Sequence, residues 1–246
     1  MRISGTAPHA SSDLRYNEPQ FHLRPCPTAP CGGGHLSKDG TSVDFLKRRK
    51  QEEQIKSEGR LPPGQSLTQK FPVLTYGPNP PFNPETWDLR VFGEVEQEMR
   101  WTWAEFQQLP TTTITTDIHC VTRWSQFDMV WEGVLFRDFV KLFGVKPSAK
   151  YVIAHCDYDY TTNTPLEAMM DDNVLLAYKY DGKMLELDHG APLRTLVPKL
   201  YFWKSAKFLR ALEFSTVDKP GFWENAGYHN EADPWKEERF QRRGWF

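Results

Sequence analysis

No apolar run in this chain approaches the roughly 20 residues needed to cross a bilayer, so a membrane span is excluded. The first residues hold no apolar signal core. Arg48-Arg49 is a twin arginine, but the charged Lys50-Gln51-Glu52-Glu53 stands where an export signal would turn hydrophobic. A cytoplasmic protein is the expectation. Cysteine is scarce: Cys26, Cys31, Cys120 and Cys156 are too few to staple 246 residues with disulfides. Net charge is almost absent, with 30 basic against 32 acidic residues, so no overall field draws the chain to nucleic acid or to an anionic surface. There is no GxGxxG, no Walker loop, no serine-hydrolase or paired-carboxylate motif, and no internal repeat. Haem, flavin and iron–sulfur motifs are missing as well. What is plentiful is aromatic surface: nine Trp, nine Tyr and sixteen Phe suit a well-packed body with recognition surfaces.

The length allows one large domain or two small ones. Residues 1–42 carry Pro, Ser, Gly and His without periodicity and are expected to be a disordered extension. Cys26 and Cys31 within it would be half of a metal site, and no second pair is spaced to complete one. Residues 43–69 read as a charged surface helix followed by an extended linker over 61–67. Residues 70–246 are expected to form the folded domain, entered by a proline-broken path from Phe71 to Pro84.

Within that domain, residues 87–93 alternate as a strand. Thr102-Trp103-Ala104-Glu105 has capping-box spacing and opens a short helix closed by Pro110. Residues 111–120 are a β-branched run with Ile114, Thr116, Ile118 and Cys120 on one face and His119 on the other. Residues 134–143 are apolar at helical spacing, with Gly144 as the stop. Residues 150–156 read as a buried strand, and 164–167 start a short helix with Pro165 at its first helical position. Residues 174–180 and 183–185 flank Asp181-Gly182 as a hairpin. A last strand spans 207–214, and a tail heavy in Trp and charge follows. Strands dominate and helices are short, which specifies an α+β fold with mostly antiparallel or mixed sheet.

Two stretches offer chemistry. Cys120 ends a strand where the chain turns into a polar loop, and strand ends are rigid mounting points. It is either a small buried hydrophobe or a deliberately placed thiol. His-Cys recurs at 119–120 and 155–156, which suggests a zinc site. Adjacent strand residues point to opposite faces, however, and cannot easily share one tetrahedral ion. The second stretch is Asp188-His189-Gly190-Ala191-Pro192-Leu193-Arg194, with Lys207 further on. Its cations and backbone N–H groups can hold an anion, or can simply be solvated. Tyr158-Asp159-Tyr160 lines a pocket or makes a turn.

Three motifs in order carry a resemblance: His119-Cys120-Val121-Thr122-Arg123-Trp124-Ser125, then Tyr160-Thr161-Thr162-Asn163-Thr164-Pro165-Leu166, then His189-Gly190-Ala191-Pro192-Leu193-Arg194 with Val197-Pro198 and Lys204-Ser205-Ala206-Lys207. Over roughly residues 70–240 the chain resembles the sulfite oxidase family. More closely it resembles the compact bacterial branch of molybdopterin-binding oxidoreductases, which includes the catalytic subunit of the periplasmic methionine sulfoxide reductase. The resemblance implies a sulfite-oxidase-type fold holding molybdenum–molybdopterin, with Cys120 as the protein's sulfur ligand at the catalytic centre; a soft thiolate suits a metal already held by sulfur. It places Arg194 and Lys207, with the backbone of Ser205 and Ala206, on the cofactor's phosphate and pterin. His189 would face the pterin, Cys156 would touch the cofactor, and Thr75 and Tyr76 would lie on a pterin-contacting segment. Tyr160 matches an active-site tyrosine that would orient substrate; a buried hydroxyl satisfying a loop carbonyl is the other reading.

The implied reaction is two-electron oxygen-atom transfer on a small oxyanion or sulfoxide-type substrate. A separate electron-transfer protein would supply or take the electrons. The haem and dimerisation domains of animal sulfite oxidases and the export signal of the methionine sulfoxide reductase are not expected here. The arginine-rich pocket that suits sulfite is not evident beyond Arg123. Two other classes remain open: a non-catalytic binding protein of the same fold, and a structural zinc module.

Overall fold

A computed structural model of the chain describes residues 40–241. Most of the extension expected over 1–42, with Cys26 and Cys31, lies outside those residues. The charged stretch forms helix α1 (Gly40–Ser57), braced by a 2.9 Å Lys56–Glu52 pair one turn apart. Only weak stabilisation follows from such an exposed pair. The stretch read as an extended linker over 61–67 turns at Pro63-Gly64, with the Gln65 N–H on the Pro62 carbonyl at 3.3 Å, and its end is a strand of the body, β1 (Ser66–Leu67).

The remaining strands follow in order: β2 (Asp88–Gly93), β3 (Met99–Thr102), β4 (Thr112–His119), β5 (Trp124–Leu135), β6 (Tyr151–Cys156) and β7 (Thr161–Pro165). Then come β8 (Leu175–Tyr180), β9 (Lys183–Met184), β10 (Arg194–Leu196) and β11 (Leu209–Ser215). They form two mixed sheets. One runs β1-β5-β8-β10, with β4 on β5 and β9 on β8; the other runs β3-β2-β11-β6-β7. Every pairing is antiparallel except β1 with β5 and β2 with β11. The α+β expectation of short helices on mixed sheet is the architecture observed.

The largest buried cluster draws on both sheets, with Leu89 and Val91 of β2, Val152 of β6 and Leu212 and Phe214 of β11 meeting Val134 and Leu176. A second cluster on the first sheet gathers Ile118, Met129, Trp131, Leu175 and Ala177. Strand β8 therefore buries both faces, which is why it reads as an unbroken apolar run.

The capping box forms as expected on α2 (Trp103–Phe106): Thr102 Oγ1 accepts from the Glu105 N–H, and Glu105 accepts from the Thr102 N–H at 2.8 Å. Thr102→Ala should lower stability by about 1 kcal/mol, read as a shift of the denaturant midpoint at unchanged slope.

Two expectations shift. The helix expected over 134–143 is shorter, because Val134 and Leu135 finish β5, paired with Leu176 and Leu175. Helix α3 (Phe136–Phe139) and a 3₁₀ turn follow. Cross-strand pairing here overrides the helical period. Pro165 ends β7 and precedes α4 (Leu166–Met169), one place before its first helical position. The twelve-residue β5, the longest strand, shows no clean alternation because Asp128, Glu132 and Gly133 interrupt its apolar positions and its pairing with β8 shifts register at Glu132/Gly133.

Candidate functional site

Strand β4 ends at His119, and Cys120 opens a tight turn. The Cys120 N–H donates to the Trp124 carbonyl at 2.9 Å, and the Cys120 carbonyl accepts from the Arg123 N–H at 3.0 Å. Arg123 sits at φ 71°, a left-handed conformation that a β-carbon disfavours. A bulge between Thr116 and Ile118 breaks the strict alternation, so Ile118, His119 and Cys120 are all buried. That corrects the face assignment for His119, whose Nδ1 lies 2.8 Å from Ser125 Oγ. Burial pushes its pKa down to about 4, leaving it neutral near pH 7. The Cys120 thiol is 5% exposed and 3.2 Å from Thr122 Oγ1, and burial raises its pKa.

The zinc reading fails on geometry. Among the described residues no three of His, Cys, Asp and Glu are grouped to hold a metal ion. His119 is engaged by Ser125, and His155 Nε2 meets Glu213 Oε2 at 3.0 Å.

A cationic cluster lies along the second stretch. Arg194 is buried, and its guanidinium donates only to carbonyls: His189 at 2.8 Å, Ser205 at 2.7 Å and Thr195 at 3.4 Å. No carboxylate partners it among the described residues, and burial draws its pKa down to about 9. The half-buried Lys207 donates to Thr75 Oγ1 and, at 2.9 Å, to the Asp188 carbonyl. Burial and then Arg194 draw its pKa down to about 7. His189 is lowered by burial, then Arg194 and Lys207, and stacks on Phe71 with ring centres 3.9 Å apart. Arg194 is a buried cation without a carboxylate partner among the described residues, and with Lys207 beside it, only partly offset by Asp188, the pair suits an anion.

Cys156, at the end of β6, lies near Arg194: burial and then Asp157 raise its pKa, and Arg194 opposes them. The Cys156 N–H donates to the Tyr160 carbonyl at 2.9 Å. The Tyr160 hydroxyl donates to the Trp203 carbonyl at 3.3 Å, so the loop-carbonyl role is occupied. Burial, then Glu224 and Cys156, hold that phenol well above its ordinary pKa. From there an aromatic wall runs toward Cys120. Trp203 packs on Tyr228 at 5.1 Å, and the Tyr228 phenol is raised by burial and by the Cys120 sulfur. Phe222 contacts Tyr160 at 5.8 Å and the exposed Tyr76 at 4.8 Å.

Ser205 and Ala206 are internal braces. Ser205 donates its N–H to the Phe202 carbonyl and accepts from Val197 N–H at 2.9 Å, while the Ala206 N–H donates to Thr195 Oγ1 at 2.7 Å. Their N–H groups are thus already engaged within the protein.

Sequence reasoning missed Phe71, Gln65, Trp203, Glu224, Tyr228 and Arg239. Most lie in segments read as a linker or a tail. Helix α5 (Phe222–Asn225) is held to β7 by close approach at Gly221, where a β-carbon would stand 2.3 Å from the Thr161 carbonyl oxygen.

A buried thiol, a buried arginine without a carboxylate partner among the described residues and aromatic side chains between them are features that suit an anionic cofactor beside a sulfur donor. Comparison with known proteins gives these features a family. Residues 76–223 match the oxidoreductase molybdopterin-binding domain. The chain is 45% identical to the uncharacterized oxidoreductase YuiH of Bacillus subtilis over 76% of this chain and 95% of that one. It is 30% identical to a putative protein-methionine-sulfoxide reductase subunit, YedZ1, of Azospira oryzae, over 68% of this chain and 64% of that one. The solved sulfane dehydrogenase SoxCD of Paracoccus pantotrophus shares the fold, with a TM-score of 0.54 and 23% identity over 59% of this chain and 42% of that one. The chain belongs to the molybdopterin-binding oxidoreductase family of sulfite-oxidase type. It is an enzyme whose cofactor is molybdenum–molybdopterin. The residues present suit that group: buried Arg194 donates only to carbonyls, Lys207 lies beside it, and Cys120 and Cys156 are free, buried soft donors. No helix among the described residues is long and apolar enough to cross a membrane.

Proposed function

We propose that this enzyme carries out two-electron oxygen-atom transfer on a small sulfoxide-type or oxyanion substrate, with Cys120 as the molybdenum ligand. The observation that carries the reading is the packed set Tyr228, Trp203 and Tyr160, near enough to the Cys120 sulfur at one end and to Cys156 and Arg194 at the other for their charges to be felt. When bound, the molybdenum cofactor supplies a two-electron centre that gives or accepts an oxygen atom. Arg194 and Lys207 hold its phosphate, His189 packs on Phe71 to form a flat wall for the pterin, and Cys156 touches the cofactor as a protonated thiol. Thr75 fixes the Lys207 ammonium, and Tyr76 and Phe222 stand at the rim. Ser205 and Ala206 act through the backbone, shaping the strand pair that presents Arg194. Tyr160, its hydroxyl set by the Trp203 carbonyl, orients substrate.

The rings of Tyr228 and Trp203 stand beside the Cys120 turn, and an aromatic wall suits the organic part of a sulfoxide. The name of the Azospira relative points the same way. The electrons are exchanged with a separate electron-transfer protein, a reading supported by the name of the Azospira relative, which is described as a reductase subunit.

Metal analysis and a dye-linked panel of organic sulfoxides, N-oxides, sulfite and nitrate test the reading. About one molybdenum per chain with turnover highest on an organic sulfoxide is expected. Metal-loaded protein inert on the whole panel would instead return the non-catalytic alternative. Lys207→Met should weaken cofactor retention roughly 10- to 100-fold, the worth of one charge-assisted hydrogen bond of about 1.5–3 kcal/mol. Molybdenum remaining per chain after extended dialysis reads that loss.

A further inference from the structure

We infer that Arg239 and Gln65 form a two-sided clamp that sets the position of Cys120, making both positioning residues. The inference rests on the reading of Cys120 as the metal ligand and goes beyond it. Neither residue lies in the family-matched segment 76–223.

From the C-terminal side, Arg239 is 5% exposed and donates from Nη1 to the Val121 carbonyl at 2.7 Å. Its Nη2 reaches the Pro63 and Gly64 carbonyls at 3.4 Å each, and the guanidinium lies 4.9 Å over the Tyr201 ring. From the N-terminal side, Gln65 is 8% exposed and donates from Nε2 to the Cys120 carbonyl at 2.9 Å. The Ser66 and Thr68 N–H groups extend this grip to the Arg123 and Ser125 carbonyls, both at 2.9 Å. Two consecutive carbonyls beside the thiol are therefore held by side chains from opposite ends of the described body. Arg239 also ties the two ends together.

Gly64 is where the segments meet, and its left-handed backbone would be strained by a side chain, which would also push aside the ends of three neighbouring side chains. Its φ is +66°, and a β-carbon there would stand 2.3 Å from Glu237 Oε1, 3.0 Å from Arg123 Nη1 and 3.3 Å from Arg239 Nη2. The turn it supports is itself strained at Arg123, and such a conformation persists only where its surroundings over-determine it. Gln65 Oε1 and Arg239 Nε are both buried without a partner. Each such atom costs about 1–3 kcal/mol, and a chain that carries two of them at one turn is using the residues for placement. Placement matters because a displacement of about 1 Å in a reacting centre lowers rate by roughly 100-fold.

The test uses the full-length, cofactor-loaded chain with Gln65→Leu, Arg239→Lys, Arg239→Met and Gly64→Ala, beside Cys120→Ser. Molybdenum per chain, the visible thiolate-to-metal band, kcat and KM are measured. The clamp variants should keep the metal, shift the band and lower kcat roughly 10- to 100-fold at unchanged KM. Arg239→Lys, which can still reach one carbonyl, should recover part of the loss. Should Arg239→Met fail to fold, Gln65→Leu and Arg239→Lys carry the same readouts. A band unmoved in these variants, with only the melting temperature lowered, overturns the clamp and leaves the ligand reading intact. A band unmoved in Cys120→Ser overturns the ligand reading itself.

Discussion

Cys120→Ala and Cys120→Ser are each expected to abolish oxygen-atom transfer, a loss larger than the roughly 10- to 100-fold that groups outside the ligand set contribute at metal sites. The reason is chemical. A serine hydroxyl is a hard donor that does not deprotonate near neutrality, whereas a thiol beside a metal does. The protein should survive the change. Truncating one small side chain costs on the order of 1 kcal/mol, against the 5–15 kcal/mol typical of a domain. Loss of turnover and of the thiolate band at a nearly unchanged melting temperature is therefore the expected pattern. Cys156→Ala is the internal control. Burial raises both thiols, but Asp157 opposes ionisation of Cys156 further, and Cys156 lies near Arg194 on the side assigned to the phosphate. That variant should keep the metal and most of the turnover. If Cys156→Ala lost the band and Cys120→Ser kept it, the two cysteines would have to exchange roles.

The sequence drew attention to part of this site: Cys120 follows a β-branched strand, and Arg194 and Lys207 follow the glycine of the 188–194 loop. Those few residues left a buried hydrophobe and solvated cations open, and it was the resemblance of three motifs in order that attached roles to them. The Thr102 capping box was legible by itself, because its two bonds close within three residues. What could not be read is whatever depends on partners far along the chain. Arg239 meets Val121 across 118 positions, and Gln65 meets Cys120 across 55. Glu224 and Lys204 are twenty apart, with no period linking them. A charged, tryptophan-rich stretch looks like a solvated tail until the fold supplies acceptors for its cations. Strand β5 was hidden for a related reason. It takes β1, β4 and β8 as partners along its length, so different positions are buried by different neighbours and no single alternation survives. His119 shows the limit of alternation even in a good strand, since one bulge turns it inward.

Lys204→Met should destabilise the protein by about 3–5 kcal/mol, the penalty for leaving one member of a buried ion pair alone. At this size that is a fall of roughly 6–20 °C in melting temperature. Both side chains are fully buried and meet at 2.6 Å. Glu224 Oε1 also accepts from Trp203 Nε1 at 2.9 Å and Thr162 Oγ1 at 3.3 Å, and Lys204 donates to Asn163 at 2.8 and 3.0 Å. The network pins the residues under the aromatic wall, so Trp203 and Phe222 should loosen with it. The pair can be dissected by pH. In Lys204→Met the stranded carboxylate escapes by taking a proton, which at pH 7 costs about 3.7 kcal/mol for an ordinary Glu and less as pH falls. In Glu224→Gln the stranded ammonium escapes by losing one, at about 4.6 kcal/mol for an ordinary Lys at pH 7 and less as pH rises. Burial already lowers the Lys204 pKa with its partner present, which favours that route. Relative to wild type, the Lys204→Met deficit should therefore shrink from pH 7 to pH 5, and the Glu224→Gln deficit should shrink from pH 7 to pH 9. Denaturant titrations of both variants at the three pH values read the slopes directly. Parallel deficits at all three would mean that the pair contributes by packing and hydrogen bonding, with no net charge held in the interior.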